Sequence, residues 1–174
     1  IYIIAVSDKA VESVASSLKF PDDAVVVHTA GSVPMSAIRG REGRRGILYA
    51  LQSFSAGRHI SLGDVPIFVE ADNDEVRDML LSFARKLSSE VDYADSERRR
   101  TIHLAGVFVN NFANHLFALG ADIVEEEGMR YDILKPLIRE TADKATSVDA
   151  PEKVQTGPAV RGDRAVTDKH IAML

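Results

Sequence analysis

Five polar side chains stand inside the most apolar helical stretch of the chain. His103, Asn110, Asn111, Asn114 and His115 lie among Leu104, Val107, Phe108, Val109, Phe112 and Leu116. At about 100° per residue, His103, Asn110 and Asn114 fall within roughly 40° of one another on a helix. Asn111 and His115 occupy the adjoining strip. An unpartnered buried amide or imidazole costs about 1–3 kcal/mol, so such a stripe needs a substrate, a second domain or another subunit to bind. A satisfied structural network in a helical dimer would serve any single residue as well. A histidine that titrates near neutrality can act as a general acid. The stripe does not read as a metal site, because two of the five are good ligands and no carboxylate joins them at ligand spacing.

Four other segments carry chemistry-bearing residues. Val6-Ser7-Asp8 and His28-Thr29-Ala30-Gly31-Ser32 each follow an apolar run that reads as a strand. Open α/β sheets bind ligands beyond the carboxyl ends of their strands. The small Ala30 and Gly31 allow close backbone approach, and the hydroxyl of Ser32 can donate. An ordinary strand-to-helix turn has a similar composition. Gln52 and Ser53 follow a third strand and by position line the same crevice. The segment Gln155 to Asp163 combines an amide, turn residues, Arg161 and an anion, a composition suited either to a loop over a site or to a linker. Neither G-x-G-x-x-G nor a P-loop occurs.

The elements that must hold these groups follow from periodicity. Ile1 to Val6 reads as a strand buried on both faces, and its abrupt start implies an upstream piece. A helix to about Leu18 follows, capped by Ser7 or Asp8. Strands are expected over 24–28, 47–51 and 66–70, with a short one over 90–94. Residues 33–38 form a short helical turn, and the arginine-rich stretch 39–46 reads as a solvated loop. Val76, Met79, Leu80, Phe83, Ala84 and Leu87 share one face of a helix over 73–87. From Asp95 the chain is helical: a helix to about Glu127, roughly 48 Å long, ended by Gly128, a second over 131–147 with Pro136 in its first turn, and a third over 166–174. The expected boundary lies near residue 94. Residues 1–94 form a largely parallel α/β layer and 95–174 an all-helical part.

Composition bounds the function. The chain has 174 residues, enough for one medium domain or two small ones. A net charge of −5 argues against nucleic acid as the main partner. The absence of cysteine excludes a disulfide scaffold, a cysteine zinc site and a cysteine nucleophile, and is compatible with the cytoplasm. No apolar run approaches the roughly 20 residues of a membrane span.

The sequence resembles a family of Rossmann-like proteins with a C-terminal helical domain of unknown function, described as NADP-dependent oxidoreductases. These look like distant relatives of pyrroline-5-carboxylate reductase and of the 6-phosphogluconate and β-hydroxyacid dehydrogenases. The resemblance rests on 2–8, 28–32, 48–55, 94–98 and 103–115, on Glu140-Thr141-Ala142 with Lys144, and on Gln155-Thr156-Gly157-Pro158-Ala159 with Arg161-Gly162-Asp163. It implies the second half of a Rossmann-like sheet followed by a helical dimerisation domain. It also implies an upstream segment carrying the glycine-rich fingerprint. NADP, or NAD, would lie against Ser7, Asp8, Ala30, Gly31 and Ser32. A small carbonyl, imine or hydroxy-acid substrate would meet Gln52, Ser53, His103, Asn110, Asn114, Gln155 and Arg161. Asn111 and His115 would reach the reacting carbon. A cytoplasmic homodimer is expected, with the long apolar helix in its interface.

One departure from the pattern bears on mechanism. In β-hydroxyacid dehydrogenases a catalytic lysine precedes an asparagine by four residues. If Asn111 matches that asparagine, Val107 occupies the lysine position. His115, His103 and His28 are the candidates to replace it as acid. The alternative is a dinucleotide- or metabolite-sensing module that kept the fold without the chemistry.

Overall fold

The computed structural model describes residues 1–173. β1 (Tyr2–Ile4), β2 (Val26–His28), β3 (Arg45–Ala50), β4 (Ile67–Ala71) and β5 (Val91–Tyr93) form one sheet in sequential order. β1–β2, β2–β3 and β4–β5 pair in parallel, whereas β3–β4 is antiparallel, with Ala50 opposite Ile67. The sheet is therefore mixed but mostly parallel, an α/β fold of the expected class. The antiparallel pair has a simple cause. The connection from 51 to 66 contains no helix, and a parallel return needs a crossover.

Strand alternation builds two cores. Val25, Val27, Leu48, Ile67 and Val69 meet Val76, Leu80 and Ala84 of α2 (Asp74–Ala84) on one face. Ile4, Val26 and Ile38 pack on the other, with Val14 and Ala15 of α1 (Val11–Ser17). The period of two in 25–27 divides one apolar run between both faces. Complete burial of Leu80 contributes about 1.5–3 kcal/mol. The Asn73 side chain starts α2 by accepting from the Val76 N–H at 2.9 Å.

Three expectations are revised. β1 pairs with β2 alone, and Tyr2 and Ile3 are exposed, so the strand is buried at Ile4 rather than on both faces. Ser7 makes no side-chain cap, and Asp8 instead accepts from Ser32 Oγ. The stretch 39–46 is not simply solvated. Arg45 opens β3 and donates from Nε to Asp72 at 2.9 Å and from Nη1 to the Ile38 carbonyl at 2.9 Å.

The chain divides into two compact units, Ile1–Ala113 and Asn114–Leu174. The helical run begins with α3 (Ser96–Gly106), whose N-cap Asp95 accepts from the Arg98 N–H at 2.8 Å. α3 belongs to the first unit because Arg99 reaches into the sheet, as described below. A π-helical turn (Val107–Phe112) follows, then α4 (Ala113–Glu126). The expected uninterrupted α-helix thus carries a π turn within its polar stripe. In the second unit, α5 (Lys135–Thr146) carries Pro136 in its first turn, where the missing N–H costs nothing. A 3₁₀ turn at Pro151–Val154 and α6 (Arg164–Met173) complete it.

Candidate functional site

The carboxyl ends of β1, β2 and β3 open onto a cleft of about 860 Å³. Its wall includes Val6, Asp8, Ala30, Gly31, Tyr49 and His103. His28 shapes the loop that follows β2. It is fully buried, and its Nδ1 accepts from the Ala30 N–H at 3.2 Å. With Nδ1 so engaged, the proton sits on Nε2, which faces the Pro34 carbonyl at 3.4 Å. Burial pushes the imidazole below its ordinary value, and the Arg99 charge adds to this against the raising effects of Pro34, Glu70 and Asp8. His28 is therefore a neutral, enclosed support for the loop, which removes it from the candidate acids.

Gly31 sits where no side chain fits. A Cβ there would lie 2.5 Å from His103 Nδ1 and 2.8 Å from the Tyr49 ring. These two residues are themselves joined: Tyr49 Oη and His103 Nδ1 are 3.2 Å apart, with the rings edge to face at 66°. Burial pushes the Tyr49 phenol above its ordinary value, more than the nearby Arg99 guanidinium lowers it, so the hydroxyl keeps its proton.

A buried ion pair holds this arrangement from behind. Arg99 Nε donates to Glu70 Oε2 at 2.8 Å, and both side chains are almost wholly enclosed. Arg99 Nη1 donates to the Gly31 carbonyl, and Ser96 Oγ donates to Glu70 Oε1. The first turns of α3, the end of β4 and the loop after β2 are thus locked together.

A second cavity, of about 260 Å³, lies beside the first and shares Tyr49, Gln52 and His103 with it. Ser53, Asn110 and Asn111 complete its polar lining. The π turn carries both asparagines, and Gly106 before it lets α3 approach Leu51, where a Cβ would stand 3.1 Å from Leu51 Cδ1. Single π turns recur at functional sites.

Among the residues selected from sequence, the structure gathers Asp8, Ala30 and Gly31 on the larger cleft, with Ser32 tied to Asp8. It gathers Gln52, Ser53, His103, Asn110 and Asn111 on the smaller one. Ser7 is exposed at the end of the β1 segment and lines neither. Asn114, His115, Gln155 and Arg161 belong to the second unit. Gln155 lines a cavity of about 500 Å³ there, together with Glu140, Thr141 and Lys144. Sequence reasoning gave Tyr49 little weight and passed over Arg99 and Glu70. The usable signal was a carboxylate closing the apolar run 66–70. Among the described residues, no cluster of three or more His, Cys, Asp or Glu could hold a metal ion, and no helix is long and apolar enough to cross a membrane.

Small residues at the carboxyl ends of parallel strands, with a helix carrying amides beside them, define an α/β domain with an open cleft at its strand ends, the place where such sheets commonly bind ligands. The chain belongs to the family defined by a domain of unknown function, DUF2520, whose model matches residues 65–174. It is similar over 99% of its length to a Bacteroides fragilis protein described as "putative NADP oxidoreductase BF3122", at 37% identity and a TM-score of 0.85. It has the fold of protein TM1727 from Thermotoga maritima, at 24% identity, a TM-score of 0.81 and 97% coverage. The chain spans 67% of each of these neighbours. No curated protein matches it.

Proposed function

We propose that this protein is an NADP-dependent oxidoreductase, with NAD as the alternative cofactor, acting on a small carbonyl, imine or hydroxy-acid substrate. The observation that carries the reading is the pair of adjoining cavities. One lies across the strand ends with small residues in its wall, the other is lined by amides and hydroxyls, and Tyr49, Gln52 and His103 are common to both. The description of the Bacteroides neighbour supports it.

The cofactor test is met in part. A volume of about 860 Å³ lies within the range of small-molecule sites, roughly 300–1,000 Å³. Ala30 and Gly31 let a flat ring approach the backbone, so the residues fit the nicotinamide end of a dinucleotide. No glycine-rich phosphate loop occurs in this sequence. When bound, the dinucleotide supplies or accepts a hydride.

In this reading Ser7, Asp8, Ala30, Gly31 and Ser32 border the cofactor. Gln52, Ser53, His103 and Asn110 bind the substrate and Asn111 acts at the reacting carbon, whereas the roles expected for Asn114, His115, Gln155 and Arg161 fall on residues of the second unit. The protein would work as a cytoplasmic homodimer. Supporting this, α3 and the π turn expose Leu104, Phe108 and Phe112, and α4 exposes Leu116, Leu119 and Ile123. Exposed large apolar side chains on successive helical turns within each unit mark interaction surfaces. A sensing module without turnover is the second reading, favoured by Val107 at the position where a lysine would serve as acid.

Calorimetric titration of NADPH, then NADH, into the full-length protein tests the proposal. Micromolar binding of one of them is expected. The absence of heat with both at millimolar concentration refutes it.

A further inference from the structure

We propose that Tyr49 is the proton donor of this site, held by His103, and that the group it serves is an uncharged carbonyl bound in the smaller cavity. The proposal rests on the oxidoreductase reading for its reaction but on separate observations for its residues.

Position is the first of these. Tyr49 and His103 line both cavities, so they stand where a ligand in one faces a ligand in the other. Geometry is the second. The 3.2 Å contact involves Nδ1, and with Nδ1 protonated the imidazole donates to the phenol oxygen. The phenol proton is then free to point at a third oxygen. Gly31 packs so closely against both rings that the pair has no room to swing toward the loop.

The lining supplies the substrate class. The residues that line the smaller cavity include no Asp, Glu, Lys or Arg. Its polar groups besides the pair are Gln52, Ser53, Asn110 and Asn111, which both donate and accept without carrying charge. Arg99, behind the loop, is committed to Glu70 and to the Gly31 carbonyl. A carboxylate or phosphate entering this cavity would lose its water with no cation to replace it, a cost far above that of a neutral carbonyl or hydroxyl. The cavity therefore selects a carbonyl whose neighbours are hydroxyl or amide groups.

The proton step balances. As the carbonyl carbon takes up a hydride, donated by a reduced nicotinamide, the C=O π pair collects on oxygen. The Tyr49 O–H bond breaks and a substrate O–H bond forms. Neutral His103 holds the phenolate through its Nδ1–H, and a proton from water restores the phenol. Oxidation of the alcohol runs the same transfers in reverse.

The test uses the full-length protein, ¹⁵N-labelled for NMR, with glyceraldehyde as the uncharged probe and glyoxylate as the anionic one. Glyceraldehyde is expected to shift the His103 Nδ1 and Asn110 side-chain signals in the absence of cofactor, and glyoxylate at equal concentration to leave them in place. Tyr49→Phe, which keeps the ring, is expected to move the His103 Nδ1 signal and weaken glyceraldehyde about tenfold, the loss of one hydrogen bond. His103→Gln repeats the question if Tyr49→Phe unfolds by circular dichroism. With NADPH present, Tyr49→Phe is expected to lower kcat by about 10²-fold or more, to change the pH profile of kcat, to raise KM by no more than the roughly tenfold loss in binding, and to leave NADPH affinity within a few-fold. Tighter binding of glyoxylate than of glyceraldehyde overturns the substrate class. An unmoved Nδ1 signal together with unchanged probe affinity in Tyr49→Phe overturns the role of the pair. If glyceraldehyde shifts these signals while neither NADPH nor NADH binds, the oxidoreductase reading fails and the carbonyl-binding site stands.

Discussion

Replacing Arg99 by methionine tests whether the buried ion pair organises the site. Arg99 is 1% exposed, and its side chain serves two acceptors, the Glu70 carboxylate and the Gly31 carbonyl. Methionine fills most of the volume but leaves Glu70 a buried anion, with Ser96 as its remaining donor. Breaking a buried pair from one side costs about 3–5 kcal/mol. The orphaned carbonyl adds about 1 kcal/mol where water cannot reach it. We expect the first unit to lose about 4–6 kcal/mol in Arg99→Met. Removing the stranded charge as well, in Arg99→Met with Glu70→Gln, should restore about 1–3 kcal/mol, because the amide is far cheaper to bury than the carboxylate. Urea denaturation followed by tyrosine near-ultraviolet circular dichroism reads this mainly through the first unit, which holds three of the four tyrosines, Tyr2, Tyr49 and Tyr93. The midpoint should fall in the single variant and partly recover in the double. A loss below about 1 kcal/mol in Arg99→Met would refute the reasoning, as would a double variant as unstable as the sum of the two singles.

Two further outcomes follow from the same structure. The folded-state value of His28 lies below its ordinary value of about 6.5, so below that pH the unfolded chain takes up a proton that the folded chain refuses. Stability is fully present above about pH 6.5 and falls as pH drops toward the folded value, at up to about 1.4 kcal/mol per pH unit. His28→Asn, whose amide oxygen can still accept from Ala30, should flatten that slope between pH 6.5 and 5, and equal slopes in chemical denaturation would contradict the assignment. Leu116 is 65% exposed on α4, and Leu116→Glu should convert a dimer to a monomer in sedimentation without loss of helicity. A wild-type protein that sediments as a monomer at micromolar concentration would remove the homodimer from the proposal.

The fold was readable where burial and turn chemistry agree. Val25-Val26-Val27 marks a central strand because each residue finds a core on one face or the other. Asn73 and Asp95 mark helix starts because their side chains accept from the first turn. The direction of β4 was less legible, since apolar alternation is the same in both directions and the deciding fact is the lack of a helix between 51 and 66. The π turn was invisible for a related reason. Apolar residues remain apolar when a turn takes one extra residue, and only the relation of His103 to Asn110 and Asn111 changes. The asparagines and Gln52 could be selected by type. Tyr49 acquires its meaning from His103, 54 positions away, and Glu70 from Arg99, 29 positions away. Partnerships at that separation are set by topology, which one sequence does not display.

The close seat of Gly31 has a thermodynamic consequence. The loop that walls the larger cleft rests directly on the two rings that wall the smaller one, with no compressible layer between them. Packed interiors of this kind transmit displacement rather than absorb it. A ligand that pushes the loop outward moves Tyr49 and His103 with it, and a ligand that settles against the rings fixes the loop. On the oxidoreductase reading, ligands in the two chambers would therefore be linked, each altering the affinity of the other by the same factor.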